Sequence, residues 1–166
     1  HEVLPVLQKK NIRSLGEGGT PLIKSRRLKK EINLPDLYLK NEGLNPTGSF
    51  KARQVSVGIS KAVEFNKKVV GVVYSGNVGV ASAAYAAYAG MKCHIIIWAE
   101  MDGLGNPRIK MAPAMLFGAN VNQTRPSKSP FFIRDSHQQQ TTATRLYILF
   151  CGIGGRTGKD GCQRVY

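Results

Sequence analysis

Lys51 follows a turn-forming run, Asn45-Pro-Thr-Gly-Ser-Phe-Lys51-Ala-Arg53, and precedes a segment with helical spacing. Asn45, Pro46 and Gly48 predict a turn, and the apolar Phe50 is expected to be buried beside the lysine. A lysine buried at such a junction becomes a nucleophilic amine, because burial disfavours its charged form. That chemistry suits a Schiff base with an aldehyde cofactor. A helix start also offers free N–H groups and positive potential, which favour a nearby anion. The competing reading is an exposed helix-start lysine.

Farther along, Ser75-Gly-Asn77-Val-Gly79 predicts a second glycine-flanked turn between a strand and a helix. The segment has two readings. It is either a strand-to-helix turn with an N-cap residue, or a site where the Asn77 amide hydrogen-bonds a ring oxygen of a cofactor lying across the strand end. Gly152-Ile-Gly154-Gly155-Arg-Thr-Gly158 follows an apolar run and is either a phosphate cradle or a flexible glycine-rich stretch. It does not fit a P-loop, because Ile153 stands at the first glycine position and Asp160 follows Lys159. His1, His94 and His137 form no cluster, and Cys93, Cys151 and Cys162 lack metal-ligand spacing, so no metal is expected. The thiols are expected to be reduced in a cytoplasmic protein.

The elements that must position these groups alternate in type. Ser25 to Glu31 predicts a short helix, and Leu15 to Leu22 a loop. Leu37–Lys40 predicts a short strand. Ala52, Val55, Ile59, Ala62 and Val63 recur at helical spacing from Ser49 to about Asn66. Val69–Tyr74 and Cys93–Trp98 are apolar, β-branched runs expected as buried parallel strands. Val78–Ala89 predicts an alanine-rich helix capped by Gly90. Asn106–Phe117 predicts another, with Pro107 in its first turn and Pro113 kinking or splitting it. Ala119–Val121 opens a third strand, and Leu146–Phe150 reads as a further one. The alternation implies an α/β fold, a parallel sheet with flanking helices in three layers, whose ligands bind beyond the strands' carboxyl ends.

Composition sets the outer bounds. Of 166 residues, 42% are hydrophobic and 20% charged, as in ordinary globular proteins, and no apolar run reaches membrane-spanning length. The formal net charge is +14, with 17 Lys/Arg against 8 Asp/Glu through residue 120 and 7 against 2 beyond it. Such a balance favours anionic ligands. The run Lys24-Ser-Arg-Arg-Leu-Lys-Lys30 is read as a solvated helix face, and no nucleic-acid-binding signature accompanies it.

Three stretches together resemble the threonine synthase family: Ser14-Leu-Gly-Glu-Gly-Gly-Thr-Pro-Leu22, Leu37 through Arg53, and Ser75-Gly-Asn-Val-Gly79. That family belongs to the fold type II pyridoxal-phosphate enzymes, which are tryptophan synthase β-like. The resemblance spans roughly residues 3–121. It implies pyridoxal 5′-phosphate as cofactor, Lys51 as the lysine that bonds to it, and Asn77 on its 3′-oxygen. It also implies Thr47, Ser49 and Ser75 near the substrate, and Gly154 and Gly155 as remnants of the phosphate loop. The implied reaction converts O-phosphohomoserine and water to threonine and phosphate, so the partner is a phosphorylated amino acid, with no nucleic acid or membrane. Gln54 departs from the glycine that the family carries there.

The resemblance implies a longer protein. Residues 1–121 are expected to form the amino-terminal part of the enzyme domain. Residues 122–166 are expected to be a divergent tail, frameshifted or a degraded phosphate-loop segment, and to leave this chain without a competent site. The rival readings are a serine/threonine dehydratase-like lyase, an inactive remnant, and a basic polyanion-binding protein.

Overall fold

The computed structural model describes residues 4–73, 76–98, 107–124 and 147–149. In chain order its elements are β1 (Leu22–Lys24), α1 (Leu28–Glu31), β2 (Tyr38–Lys40), α2 (Lys51–Glu64), β3 (Val69–Val73), α3 (Asn77–Tyr88), β4 (Lys92–Trp98), α4 (Pro107–Leu116), β5 (Asn120–Thr124) and β6 (Tyr147–Leu149). Strands β3 to β6 form one sheet in the order β5-β4-β3-β6. All three of its pairings are parallel, with Val70 opposite Cys93, His94 opposite Asn120 and Val70 opposite Tyr147. β1 and β2 form a separate antiparallel pair in which Ile23 faces Leu39.

The expected strands and the three longer helices are present. The crossovers β3-α3-β4 and β4-α4-β5 step in one direction across the sheet. Right-handed crossovers of that kind place both helices on the same face. Accordingly α3 touches α2, α4, β3 and β4. Its small residues allow this approach: Ala81, Ser82, Ala83, Ala84 and Ala86 are all buried. Beneath the helices lie Val70, Val72, Cys93, Ile95 and Ile97, all nearly inaccessible. Their neighbours Val69, Val73, His94 and Ile96, on the opposite face, are half-buried. The strands were expected to be buried throughout; the buried core lies on the helix side. Burial holds the Cys93 thiol up to about 12, so it stays protonated.

Helices α2, α3 and α4 end alike. Asn66, Gly90 and Gly118 each adopt positive φ just past the helix. The next residue's N–H then donates back to the last turn, as Met91 does to the Ala86 carbonyl at 2.8 Å.

Four local expectations are corrected. The helix expected from Ser25 is the single turn Leu28–Glu31, because the chain at Ser25 still pairs with the β2 side through Leu37. Leu22 is not loop but the start of β1, which extended Thr20-Pro21 leads into. Pro113 does not split α4: Met111 and Ala114 beside it are fully buried and hold the helix to the core despite one lost backbone bond. Phe50 is not buried but 55% exposed, since it lies outside the turn and flanks Lys51 instead of entering the core.

Candidate active site

The turn before Lys51 is strained and polar. Residues Pro46–Gly48 form a 3-10 turn in which Thr47 holds φ 72° and ψ 12°. A β-branched residue rarely adopts that left-handed shape. The turn closes through the Gly48 N–H, which donates to the Asn45 carbonyl at 2.9 Å. Thr47 Oγ1 is buried there with no hydrogen-bond partner. An orphaned buried hydroxyl is uncommon and calls for an explanation, such as a ligand group that it serves. Ser49 is extended and buried, and its Oγ accepts the Lys51 N–H at 3.3 Å.

Lys51 is the first residue of α2 and is half-buried. Its Nζ lies 4.7 Å from the centroid of the Phe50 ring. The Pro46–Gly48 turn packs against α3. α3 begins at Asn77, whose side chain is accessible, with Gly76 at its N-cap and no side-chain cap. The N-cap position is taken by Gly76, at φ 87° and ψ −147°, a backbone that glycine tolerates. The turn, the lysine helix and α3 pack against one another.

A carboxylate hub holds this neighbourhood from behind. Arg53 donates from Nε to Glu42 Oε2 and from Nη2 to Glu42 Oε1, both at 2.8 Å. This is a two-pronged guanidinium–carboxylate pair, the geometry that gives such contacts their directionality. Thr20 Oγ1 donates to Glu42 Oε1 at 2.8 Å, and Asn45 Nδ2 donates to Glu42 Oε2 at 2.9 Å. Asn45 Oδ1 accepts the Gly18 N–H at 3.0 Å, and Arg53 Nη2 donates to the Gly18 carbonyl at 3.1 Å. Gly18 is required here, since a Cβ would lie 2.9 Å from Arg53 Nη1 and its φ is +99°. The hydrogen bonds from Arg53, then Asn45 and Thr20, hold the Glu42 carboxyl down to about 2.

A second carboxylate ties the same loop to the core. Tyr85, fully buried on α3, donates its hydroxyl to Glu17 Oε2 at 2.5 Å. The same oxygen accepts from the Ser14 hydroxyl and the Leu15 N–H. Burial raises the Glu17 carboxyl, but the Tyr85 bond and the others outweigh it and leave it below the usual range. Burial, followed by the bond to Glu17, pushes the Tyr85 phenol upward.

Of the residues singled out in the sequence, Thr47, Ser49 and Lys51 lie together on the turn and the helix start that follows it, and this turn packs against α3, the helix that Asn77 begins. Ser75, Gly154 and Gly155 lie outside the described residues. Gln54 is exposed on α2, so the departure from glycine is carried at the surface. The run Lys24–Lys30 is largely solvated, but it is not one helix face: Lys24 ends β1 and only Leu28–Lys30 is helical. Among the described residues no three His, Cys, Asp or Glu side chains gather as metal ligands, and no helix is long and apolar enough to cross a membrane. Glu42, Arg53, Glu17 and Tyr85 were not assigned tasks from the sequence. The three-residue spacing of Glu42 and Asn45 across a turn was the only local signal. The partners of Arg53 and Tyr85 lie too far away along the chain to be read locally.

Comparison with known proteins gives this arrangement a family. Threonine synthase of Methanocaldococcus jannaschii is 45% identical over 124 residues, covering 75% of this chain and 30% of that protein. Threonine synthase of Methanosarcina acetivorans is 42% identical over 112 residues, covering 68% and 27%. Threonine synthase of Halalkalibacterium halodurans is 41% identical over 120 residues, covering 72% and 32%. The chain thus spans about a third of the length of these relatives. A crystal structure of a pyridoxal 5′-phosphate-dependent aspartate racemase superposes with a TM-score of 0.58 at 30% identity, covering 66% of this chain and 34% of that one. The family described as pyridoxal-phosphate dependent enzyme matches residues 13–147. With a lysine at a helix start beside a strained turn and an orphaned buried hydroxyl, the chain belongs to the pyridoxal-phosphate dependent enzymes.

Proposed function

We propose that this chain carries the lysine-bearing lobe of a pyridoxal-phosphate enzyme of threonine synthase type, acting on O-phosphohomoserine and water to give threonine and phosphate. The observation that carries the reading is the turn at Thr47. A strained backbone with a buried, unpartnered hydroxyl, directly before a half-buried lysine, fits a ligand site better than a structural turn.

In this reading Lys51 Nζ holds the cofactor through its aldehyde carbon. When bound, pyridoxal phosphate supplies an electron sink for charge developing on the substrate's carbons. Lys51 Nζ would also be the group that takes up and returns protons at the substrate's carbons. Asn77 Nδ2 would donate to the ring oxygen, and the N–H groups at the start of α3, which no side chain caps, would add positive potential for anionic groups. Thr47 Oγ1 and Ser49 Oγ orient the substrate, with Ser75 at the neighbouring turn. Gly154 and Gly155 are proposed to cradle the cofactor's phosphate. The net charge of +14 supports a phosphate-bearing ligand.

The test is reduction of the protein with borohydride in the presence of pyridoxal phosphate, followed by peptide mapping. The pyridoxyl group is expected on Lys51, and Lys51→Ala is expected to remove it. Phosphate release from O-phosphohomoserine, measured alongside, separates the threonine synthase assignment from that of a dehydratase, which would yield ammonia and a keto acid. Label spread evenly over exposed lysines would overturn the role of Lys51.

A further inference from the structure

We propose that the Glu42–Arg53 pair is a positioning device that sets the direction of Lys51, and that it does so by fixing the rotation of the first turn of α2. The inference rests on the reading of Lys51 as the cofactor lysine. Residues two apart on a helix lie about 200° apart around its axis, on nearly opposite sides. Arg53 therefore points away from Lys51. A guanidinium held in two prongs by Glu42 resists rotation of that turn, because turning would break both 2.8 Å contacts together. The lysine on the far side is then aimed by a clamp that touches neither cofactor nor substrate.

The clamp is itself anchored at three places. Asn45 fastens Glu42 to the strained turn, Thr20 fastens it to the end of the glycine loop, and Arg53 reaches the Gly18 carbonyl. The same oxygens that hold Arg53 thus hold the turn that keeps Thr47 at φ 72°. The lysine helix and the orphaned hydroxyl share one support, so their relative placement is set by one carboxylate. A lone surface ion pair contributes little to stability. A half-exposed pair with this many partners is better explained by geometry than by stability.

The experiment compares lysines within one molecule. The protein is treated with limiting pyridoxal 5′-phosphate and reduced with borohydride. Label on Lys51 is then expressed relative to label on the exposed Lys24 and Lys92. Arg53→Ala and Glu42→Gln are each expected to lower that ratio by about tenfold, the scale of loss that follows small misplacements of reacting groups. Amide-exchange protection of β3 and β4 is expected to stay unchanged. Arg53→Lys, which keeps the charge without the two prongs, is expected to recover only part of the ratio. If Arg53→Ala loses its circular dichroism, Glu42→Gln carries the same expectation and Arg53→Lys the smaller, partial loss. An unchanged ratio in the folded variants, with wild type strongly favouring Lys51, overturns the positioning role alone. Absence of any Lys51 preference in wild type overturns the reading of Lys51, and this inference with it.

Discussion

Two regions of the molecule are built on different principles. From Ala52 to Ala119 the described chain contributes a shared apolar core of helix and strand residues, including Ile59, Tyr85, Ile95 and Met111 at zero exposure. Between residues 7 and 51 no described residue joins that core. There the apolar side chains face outward, with Leu22 at 64%, Ile23 at 47% and Leu39 at 46% exposure. That region is held by polar contacts instead: Asn41 N–H to the Pro21 carbonyl, Lys40 Nζ to the Thr20 carbonyl, and the Glu42 hub. Lys51 stands at the seam. The difference teaches that the two sides of Lys51 are held by different means, α2 onward by apolar burial and the preceding loops by hydrogen bonds.

The largest effect is expected in the core. Ile59→Ala removes a fully buried side chain from the core face of α2 and is expected to cost about 2–5 kcal/mol in urea unfolding. Leu39→Ala on the exposed hairpin is expected to stay within about 0.5 kcal/mol. Equal costs for the two would erase the distinction between the regions.

Tyr85→Phe tests the link between them, because it severs the bond to Glu17 while keeping the ring. A loss of about 1–2 kcal/mol is expected, at the low end for a charged acceptor, since Ser14 and Leu15 still serve Glu17. A loss below what the assay resolves would mean that the glycine loop is held elsewhere.

Gly90→Ala acts only on the packed region. It forces a Cβ onto φ 67° in otherwise open space, so about 1 kcal/mol of backbone strain is expected and no clash.

The polar region should respond to acid. Glu42 is held below its ordinary value, to about 2, so it stabilises the folded state fully above the ordinary carboxylate range. That contribution declines as pH falls from about 4.5 toward about 2. Hydrogen exchange of the Gly18 amide should therefore stay slow from neutral pH to the ordinary carboxylate range, after correction for intrinsic rates. It should lose protection below that range, whereas Glu42→Gln should weaken it already at pH 7. Identical pH profiles in the two proteins would remove the hub from the account.

The smallest effect belongs to Lys24→Ala. Its 3.4 Å pair with Asp36 joins two well-exposed side chains and is expected to contribute under about 0.5 kcal/mol. A larger loss would show that surface charge, and not only the hub, holds the hairpin.

The sequence by itself determined the elements of the packed region. Helical spacing at Ala52, Val55 and Ile59, β-branched runs at Val69 and Ile95, and the stops at Asn66, Gly90 and Gly118 are signals carried within a few residues. The turn before Lys51 and the helix start at Asn77 were legible because turn-forming residues surround them. Burial of Phe50 was misread, since apolar character does not say which side of a turn a ring takes. The start of β1 was missed because a three-residue strand has no period of its own. Only tertiary structure decided which face of the sheet is dry, as that depends on the hand of the crossovers. It alone joined Gly18 to Arg53 and Glu17 to Tyr85. Those pairings span 35 and 68 residues, and no local pattern encodes them. The physical reason is that hydrogen bonds across such distances form only after the chain has packed, when burial has already fixed where each donor and acceptor stands.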